Sequence, residues 1–493
     1  MGIAVQQQTR RSSGRRVAAL MAASAVLPGS VQAWAGSERV GRFTLRVWGA
    51  VWAVIVLVVV GLLVLRGPTI ALVLNPVFVV VAKSVLLVVA LGWVALLLDA
   101  WWIARPLEMS GRTRGVSAAV VAVLVAAMVA ATAFVGSALT ALGDVGSIFG
   151  GSGSTDTKAG RFNILLLGGD SGPGRDGLRP DSIMVASIDA TTGRTVLISL
   201  PRNMENAPIP ASNPLHKLYP TGFDCPKSEC MLNGIYTLAM EHKDLFPGVP
   251  EPGLKSTADV VGTVLGLDIN YYALVDLAGF EALIDAVGGI TLDVGRRIPI
   301  GGGSSKITGW IEVGKNQHLD GYHALWFARS RQGSSDYDRM ARQKCVLNAM
   351  LNQLDPVTVS TRFGELAKAG KGMVTTSVPA SELSRLIDLA LLAKKLPTSA
   401  ISFAPPLINP GRPDFAFIRA HVQQAIAASR ALDDQTSSPS SSPATASSSA
   451  PATRPSSGTK PSSATPNSPT PESSPNAEQR DTSDLAAVCS VSR

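Results

Sequence analysis

The feature that most constrains this chain is an uninterrupted run of uncharged residues, 47–65, between Arg46 and Arg66. A bilayer core of about 30 Å is crossed by about 20 helical residues, so this run is long enough to span a membrane. A second span is predicted at residues 84–104, where Trp101 and Trp102 resemble an interfacial anchor, and a third within residues 115–143. Residues 67–82 are interrupted by Asn75-Pro76 and are interpreted as a re-entrant or interfacial piece.

The arginines that flank these spans predict the orientation of the chain in the membrane. Basic residues near membrane spans concentrate on the cytoplasmic side. The two groups here precede the first span and follow the second, at Arg10, Arg11, Arg15 and Arg16 and at Arg105, Arg112 and Arg114. Three spans then place everything after residue 143 outside the cell. A cleaved signal peptide is the alternative, but it would need a long apolar region followed by two more spans.

Composition agrees with a mixed membrane and globular chain. Apolar residues make up 46% and charged residues only 16%, with a mean hydropathy of +0.24. The net charge of +8 is compatible with nucleic acid, anionic lipid or an anionic substrate as the partner. Four cysteines without a CxxC pair argue against a disulfide-rich miniprotein and a zinc module.

The chain divides into five predicted segments. Residues 1–45 form a cytoplasmic segment, 46–143 a membrane region of about three helices, 144–160 a linker, 161–432 an extracellular domain, and 433–493 a Ser/Pro-rich tail. Residues 435–480 of that tail contain almost no large apolar side chain and are predicted to be disordered. The end of the chain, residues 484–491, becomes apolar again around Cys489 and is predicted to dock back onto the domain.

The external domain has the pattern of an α/β fold. Residues 163–167, 183–188 and 195–200 are predicted strands, because short apolar runs end in turn residues. Residues 280–287 are predicted to form a helix that stops at Gly288-Gly289 and leads into a strand at 290–294. Apolar residues at helical spacing predict another helix over residues 338–354.

Three familiar site types are poorly supported. Gly169-Asp170-Ser171-Gly172 resembles the nucleophile segment of trypsin-like proteases, but the first histidine, His216, comes after it rather than before it. The glycine-rich stretch 168–177 lacks the Gly-Lys-Ser/Thr ending of a phosphate-binding loop. The five histidines form no HExxH pattern, so imidazole ligation of a metal is not indicated.

Two carboxylates at strand ends are candidates for metal binding. Asp170 follows the first predicted strand and Asp181 begins the second, so a hairpin-like return could bring both to one sheet edge. Two hard oxygen ligands suit Mg²⁺, or Mn²⁺, with phosphate oxygens completing its coordination. Ordinary turn aspartates are the alternative interpretation.

Arginines gather around the same predicted sheet edge. Arg179 lies in the loop before the second strand and Arg202 follows the third. Arg329 and Arg331, two apart on a segment interpreted as extended, would point to the same side and could both grip one phosphate. Asp338-Arg339 and Arg342-Gln343 open a helix whose spacing puts the two arginines on one face. This concentration indicates a polyanion site, and the sparse aromatic content argues against nucleic acid as the polyanion.

At these residues the sequence resembles the LytR-CpsA-Psr family of cell-wall glycopolymer ligases, with the residue usage of an actinobacterial member. The resemblance runs from about residue 161 to 354. It is carried by NILLLG at 163–168, RPDSIM at 179–184, ISLPR at 198–202, LNGIY at 232–236, YYALVD at 271–276, ALWFARSR at 324–331 and DRMARQ at 338–343. Asn203 and Pro180 depart from residues that are common in the family.

The resemblance implies a fold, an activity and residue roles. It implies a mixed central sheet flanked by helices, a tunnel for a lipid, and transfer of a glycopolymer from a polyprenyl-pyrophosphate carrier to peptidoglycan through a phosphodiester. Asp170 and Asp181 would hold Mg²⁺, and the pyrophosphate would be held by Arg179, Arg202, Arg329, Arg331, Arg342 and Gln343. Arg202, Arg329, Arg331 and Asp338 are the expected catalytic residues, with Asp338 and Asp181 as candidate proton acceptors, and residues 280–287 are a candidate tunnel lining.

Cysteine positions suggest two cross-links in an oxidising compartment. Cys225 and Cys230 could close a small loop, which leaves Cys345 and Cys489 to tie the end of the tail to the helix after Arg342. Free buried thiols are the alternative.

Two other functions remain open from the sequence. The same site could release phosphate from a polyprenyl pyrophosphate with water as the acceptor. A non-catalytic wall or regulatory protein that binds the carrier lipid is the third hypothesis.

Overall fold

A computed structural model describes residues 20–35, 37–105, 110–149, 157, 159–169, 179–225, 229–302, 305–353, 362–371, 373–437, 481–482 and 484–490. The helices are α1 (Ser30–Ala35), α2 (Glu38–Val64), α3 (Arg66–Leu74), α4 (Pro76–Ile103), α5 (Gly111–Ile148), α6 (Gly234–Glu241), α7 (Pro252–Leu265), α8 (Leu277–Val287), α9 (Gly321–Arg329), α10 (Asp336–Gln353), α11 (Phe363–Gly370), α12 (Leu383–Ala393), α13 (Phe415–Ser437) and α14 (Leu485–Cys489).

The strands are β1 (Arg161–Gly169), β2 (Pro180–Asp189), β3 (Thr195–Leu200), β4 (Tyr271–Asp276), β5 (Ile290–Val294), β6 (Ile298–Gly302), β7 (Ser305–Ile311), β8 (Gly314–Leu319), β9 (Val374–Thr376), β10 (Ser399–Ser402) and β11 (Asp481–Thr482). The strands and helices predicted for the external domain all appear, most of them longer than the predicted ranges.

Three helices, α2, α4 and α5, are long and apolar enough to cross a membrane. The interruption expected at Asn75-Pro76 is the start of α4, because the Asn75 side chain accepts hydrogen bonds from the N–H groups of Val77 and Phe78. Proline suits the first helical position, where its missing N–H is not needed. The predicted re-entrant piece is therefore the short helix α3 followed by the first turns of α4, which begins at Pro76 rather than near residue 84.

The central sheet is mixed and has the order β11-β10-β3-β2-β1-β4-β9. β1 pairs with β2 antiparallel and with β4 parallel, and β3 pairs with β10 parallel. Helices flank this sheet, which confirms the fold class expected from the sequence. Two small antiparallel sheets, β5-β8 and β6-β7, lie outside it.

The two faces of the central sheet are covered differently. One face is closed by α6, α7 and α13 around a large core that includes Leu165, Leu167, Ile183, Val185 and Leu274. On the other face, Phe162 and Tyr271 pack with Leu389 of α12, and Ala186 and Leu197 pack with Leu485 of α14. A second core lies outside the central sheet, among β5–β8, α8, α9 and α10. Apolar alternation along the strands produces this arrangement because successive side chains point to opposite faces.

The domain that follows α5 packs directly against the apolar N-terminal helices. Leu74 of α3 and Ala141 and Val145 of α5 are buried in one cluster with Ala367 of α11. Lys371 Nζ lies 2.6 Å from Asp144 Oδ1. Since α5 continues to Ile148, the predicted linker begins inside a helix.

The C-terminal part returns to the domain. Helix α13 passes the expected boundary at residue 432 and ends at Ser437, held by Asp433, which lies 2.7 Å from Arg194 Nε. The segment 438–480, predicted to be disordered, lies outside the described residues. Beyond it, β11 pairs with β10 and α14 buries Leu485 against the sheet, where docking was expected.

Both cysteine pairs are bonded as expected. Cys225 is joined to Cys230, and Cys345 of α10 is joined to Cys489 of α14. The second bond ties the end of the chain to the helix that carries Arg339 and Arg342.

Candidate active site

The candidate site begins where β2 starts and β3 ends. These strands are antiparallel, and the pairing of Ile183 with Leu200 sets Asp181 opposite Arg202 just beyond the paired region. Arg202 Nη1 donates a short hydrogen bond to Asp181 Oδ1. The two residues that were predicted for different ligands, a metal and a pyrophosphate, are therefore ion-paired with each other.

Arg339 forms the centre of the charged cluster. Its side chain is only 2% exposed, and its Nη2 donates to the Asp181 carbonyl oxygen at 2.8 Å and to Asp336 Oδ2 at 3.1 Å. Arg339 Nη1 also lies 3.7 Å from Asp181 Oδ2. Burial lowers the pKa of the Arg339 guanidinium, and the charges of Asp336 and Asp181 oppose that shift.

The loop between α9 and α10 brings further charges to the cluster. Arg331 Nη1 lies 3.6 Å from Asp336 Oδ1, and Arg202 Nε lies 3.7 Å from Asp336 Oδ2. Arg331 is nearly half exposed, so one side of the cluster is open to solvent. Among the described residues, Asp336 Oδ1 is a buried oxygen that accepts no hydrogen bond.

Asp338 takes part in capping the N-terminus of α10. Its Oδ2 accepts a hydrogen bond from the Ser335 N–H at 3.0 Å, and its own N–H donates to Ser335 Oγ at 3.1 Å. This reciprocal pair is a capping arrangement that satisfies N–H groups at the helix start. Arg296 Nη1 lies 3.9 Å from the same carboxylate. A role for Asp338 as proton acceptor stays a prediction.

Arg342 and Gln343 support the loop from α10. Arg342 Nη2 donates a short hydrogen bond to the Ser330 carbonyl oxygen, and its guanidinium lies 5.9 Å from the Phe327 ring centre. Gln343 Nε2 donates to the Ala328 carbonyl oxygen at 3.3 Å. Burial, reinforced by the charge of Arg296, lowers the pKa of Arg342 to about 10. The group therefore stays protonated at neutral pH while lacking full solvation.

Arg329 does not lie on an extended segment. It is the last residue of α9. This helix forms because Asp320 caps its N-terminus and because Ala324, Phe327 and Ala328 bury one of its faces. Its guanidinium lies 5.5 Å from the Trp326 ring centre. The expectation that Arg329 and Arg331 point to one side as alternate residues of an extended segment is wrong, since the helix ends between them.

Two more residues, Arg179 and Asp170, were predicted for the site. Arg179 is exposed immediately before β2. Asp170 lies outside the described residues, so its proposed pairing with Asp181 stays a prediction.

An apolar strip leads along the sheet to the charged cluster. Leu166, Met184, Ala273 and Val275 share one face of β1, β2 and β4, and all four are only half-buried although they lie on interior strands. On the opposite face of the same strands Leu165, Leu167, Ile183, Val185 and Leu274 are buried. Helix α8, the candidate lipid lining, contacts β4. The half-buried strip passes Ser182, the neighbour of Asp181.

No role was assigned to Asp336 or Arg296 from the sequence, and Arg339 was not recognised as the centre of the cluster. Arg339 was seen only as part of a helix face, because its burial depends on Asp181, which is far away in the chain. The signal that could have found it is a charged residue at a position where the helical periodicity of α10 requires burial.

The carboxylates can be tested for a fit to a divalent cation. Asp181 and Asp336 offer hard oxygen ligands, but both are paired with arginines. Among the described residues no group of three or more histidine, cysteine, aspartate or glutamate side chains could hold a metal. A cation would therefore need Asp170 or oxygens of the substrate to complete its coordination.

Comparisons with known proteins give a family and several relatives. The model of the LytR_cpsA_psr family matches residues 146–404. A protein of Oceanobacillus iheyensis named polyisoprenyl-teichoic acid–peptidoglycan teichoic acid transferase TagU is 29% identical over 46% of this chain and 61% of its own length. The cell wall biosynthesis protein LcpA of Corynebacterium glutamicum is 26% identical over 52% of each chain. The crystal structure of Bacillus subtilis TagV aligns with a TM-score of 0.40 and 22% identity over 55% of this chain and 99% of that one. The chain thus spans roughly half to three fifths of the length of these two curated relatives.

Proposed function

Since the chain belongs to the LytR_cpsA_psr family, we propose that it is a membrane-anchored phosphotransferase that moves a glycopolymer from a polyprenyl-pyrophosphate carrier to peptidoglycan. The names of relatives support this proposal, since TagU is named a transferase of teichoic acid from a polyisoprenyl carrier to peptidoglycan. Matches to other family members cover only part of their length, so the substrates of this chain are part of the proposal.

The observation that carries the proposal is the excess of positive charge at the cluster. Guanidinium groups outnumber carboxylates there, with Arg202, Arg296, Arg331, Arg339 and Arg342 around Asp181, Asp336 and Asp338. Four of these arginines, all except Arg342, are ion-paired with carboxylates that hold them in place, which reduces the reorganisation needed when a charged group arrives. A diphosphate would neutralise the remaining positive charge, and each charge-assisted hydrogen bond would contribute roughly 1.5–3 kcal/mol.

The apolar strip supports a lipid on the donor. An isoprenoid chain laid along Leu166, Met184, Ala273 and Val275 would cover surface that is now half-exposed on interior strands. Each buried CH₂ contributes about 0.8 kcal/mol. Because the strip passes Ser182 beside Asp181, a lipid on it would bring its diphosphate to the arginines.

The residues that we propose for catalysis act by positioning and charge. Phosphoryl transfer needs little covalent chemistry from the protein, since most of the rate comes from alignment and from stabilising charge on the phosphate oxygens. Arg202 and Arg331 would contact the diphosphate directly, because both are partly exposed. Arg339 and Arg342 are more buried and would hold Asp181, Asp336 and the Ser330 backbone in position. The acceptor hydroxyl would attack the phosphorus next to the glycopolymer, and polyprenyl phosphate would leave.

A divalent cation is part of the proposal. Mg²⁺, or Mn²⁺, would be held by Asp181 and Asp170 together with phosphate oxygens, and it would neutralise charge on the diphosphate. Removal of divalent cations with a chelator, followed by addition of Mg²⁺, should abolish and then restore transfer. Full activity in the presence of the chelator would remove the cation from the proposal.

We also propose that the domain after α5 faces the outside of the cell. Three helices long enough to span, together with the arginine groups before α2 and after α4, support this orientation. Reporter fusions after residue 160 should show activity only outside the cytoplasm. Reporter activity in the cytoplasm would overturn the orientation.

The reaction can be tested with the full-length protein in phospholipid nanodiscs. It would be incubated with a polyprenyl-pyrophosphate oligosaccharide, peptidoglycan oligomers and Mg²⁺, and the products would be analysed by mass spectrometry. A phosphodiester-linked conjugate is the expected product. Release of phosphate alone would indicate the phosphatase, and donor binding without any reaction would indicate a lipid-binding protein.

A further inference from the structure

The hairpin formed by β6 and β7 has one buried and one exposed face. Ile298, Ile300 and Ile311 point inward and are buried in the second core. On the outer face of β7 the exposed residues alternate, at Lys306, Thr308 and Trp310. At about 3.3 Å per residue these side chains span roughly 13 Å, the length of two or three sugar rings. The outer face of β7 with Arg297 is called here the hairpin strip.

Trp310 presents a fixed apolar surface on the hairpin strip. The side chain is 41% exposed, and the Arg297 guanidinium lies 4.4 Å from its ring centre. Arg297 is ion-paired with Glu312. The Glu312 Oε1 atom accepts a hydrogen bond from Arg297 Nε at 2.9 Å and lies 2.8 Å from Nη2. Exposed tryptophan side chains are typical of binding surfaces.

The charges around Trp310 favour a neutral ligand over a polyanion. Glu312 offsets the charge of Arg297 next to the indole. The exposed ring then offers an apolar surface for the C–H face of a pyranose, and the Thr308 hydroxyl and Lys306 ammonium offer polar groups for sugar hydroxyls. This differs from the charged cluster, where positive charge exceeds negative charge.

The hairpin that carries the strip adjoins the loop that carries Arg331. Gly302, at the end of β6, packs so closely on Gln332 that a Cβ atom there would lie 2.8 Å from the Gln332 side chain. Arg296, immediately before β6, donates from Nη2 to the Gly333 carbonyl oxygen at 2.5 Å. The hairpin is thus joined to residues 332 and 333, directly after Arg331.

From this placement we propose that the hairpin strip binds the acceptor as a neutral glycan strand, with one pyranose ring stacked on Trp310. The inference rests on the proposed function for the identity of the acceptor, whereas glycan binding itself does not require transfer. The strip would hold the strand beside the cluster so that a sugar hydroxyl reaches the bound diphosphate.

Binding can be measured with a hexamer of β-1,4-linked N-acetylglucosamine and the full-length protein in detergent micelles. By isothermal titration calorimetry, Trp310→Ala should weaken the affinity about tenfold, the loss expected from one stacked ring. Trp310→Phe should keep most of the affinity because an aromatic ring remains. Tyr322→Ala is the matched control, since Tyr322 is an aromatic residue of equal exposure that lies on α9 and not on the outer face of β7. It should change the affinity less than twofold.

The outcomes separate this inference from the proposed function. Hexamer binding that depends on Trp310 supports the strip even if no transfer is detected in nanodiscs. Where transfer is detected, Trp310→Ala should raise KM for the acceptor and leave kcat at saturating acceptor unchanged. No hexamer binding by the unaltered protein, or equal binding by Trp310→Ala, would overturn the strip even if transfer is intact.

Discussion

At the scale of the single residue, Arg339 is where burial and charge oppose each other most directly. A guanidinium that is almost fully removed from water is tolerated because Asp181 and Asp336 accept its hydrogen bonds. Arg339 also lies within ion-pair distance of both carboxylates, and those carboxylates are paired with Arg202 and Arg331 in turn. One buried arginine thereby orders two partly exposed ones.

Removal of this central side chain should destabilise the protein. Arg339→Ala leaves the Asp336 carboxylate without its nearest arginine and the Asp181 carbonyl oxygen without its donor, and we expect the free energy of unfolding to fall by about 3 kcal/mol. Arg331→Ala is the matched control, because an exposed ion pair contributes at most about 1 kcal/mol. Chemical denaturation in detergent would measure both variants. Equal stability of the two variants would contradict the central role of Arg339.

At the scale of the element, α10 connects the charged cluster to the C-terminal end of the chain. Arg339 and Arg342 lie in its first half and Cys345 follows directly, bonded to Cys489. Lys344 of the same helix is buried and donates from Nζ to Ser402 Oγ at 2.7 Å, which attaches α10 to the end of β10. The position of the arginines thus depends on packing and on a covalent bond to a distant segment.

The two disulfides should contribute unequally to stability. The Cys345–Cys489 bond joins residues 144 positions apart, whereas Cys225 and Cys230 are five apart. In the chain-entropy account a longer closed loop stabilises more, so Cys489→Ser should lower the free energy of unfolding by about 2–4 kcal/mol. Cys230→Ser should lower it less. Chemical denaturation under non-reducing conditions would compare the variants, and an equal loss from both would contradict this account.

Elements that depend on local periodicity were predictable from the sequence. The strand over residues 195–200, the helix before Gly288 and the helix with Met340, Val346 and Leu347 follow from apolar spacing, because burial of one face decides them. Sheet order was not predictable, since β4 and β10 pair with strands distant in the chain. The helical end at Arg329 was missed because the capping by Asp320 was not recognised.

The candidate site was predictable in composition but not in geometry. Their positions at the ends of predicted elements and the resemblance to family motifs predicted that Asp181, Arg202 and Arg331 belong to one site. The pairing of Asp181 with Arg202 depends on the register between β2 and β3, and the role of Asp336 depends on where α10 begins. Neither the register nor the helix start can be read from the motifs alone.

At the scale of the whole molecule, the domain that follows α5 is attached to the apolar N-terminal helices by packing as well as by the chain itself. α3 and α5 form a buried apolar cluster with α11, and α11 also contacts α8, which flanks the apolar strip. Gly146 of α5 allows this packing, since a Cβ atom there would lie 1.9 Å from the Leu74 carbonyl oxygen of α3. The domain is therefore held in a defined position against these helices.

This attachment predicts a specific cross-link in native membranes. A zero-length carbodiimide reagent should join Lys371 to Asp144, because Nζ and Oδ1 lie 2.6 Å apart. Lys371→Arg is the matched control, since it keeps the positive charge but cannot form the amide. Peptide mass spectrometry would detect the product. Absence of the cross-link in the unaltered protein, with other lysine–carboxylate pairs joined, would contradict the docking of α11 on α5.

The most direct test of the central claim is transfer by arginine variants in the nanodisc assay. Arg331→Ala and Arg329→Ala should abolish formation of the phosphodiester-linked conjugate while the unfolding midpoint remains that of the unaltered protein. Arg412→Ala, which removes an exposed arginine outside the cluster, should transfer at the normal rate. Near-normal transfer by Arg331→Ala would contradict the claim that the cluster binds a diphosphate, and near-normal transfer by Arg329→Ala would remove Arg329, at the end of α9, from the proposed site.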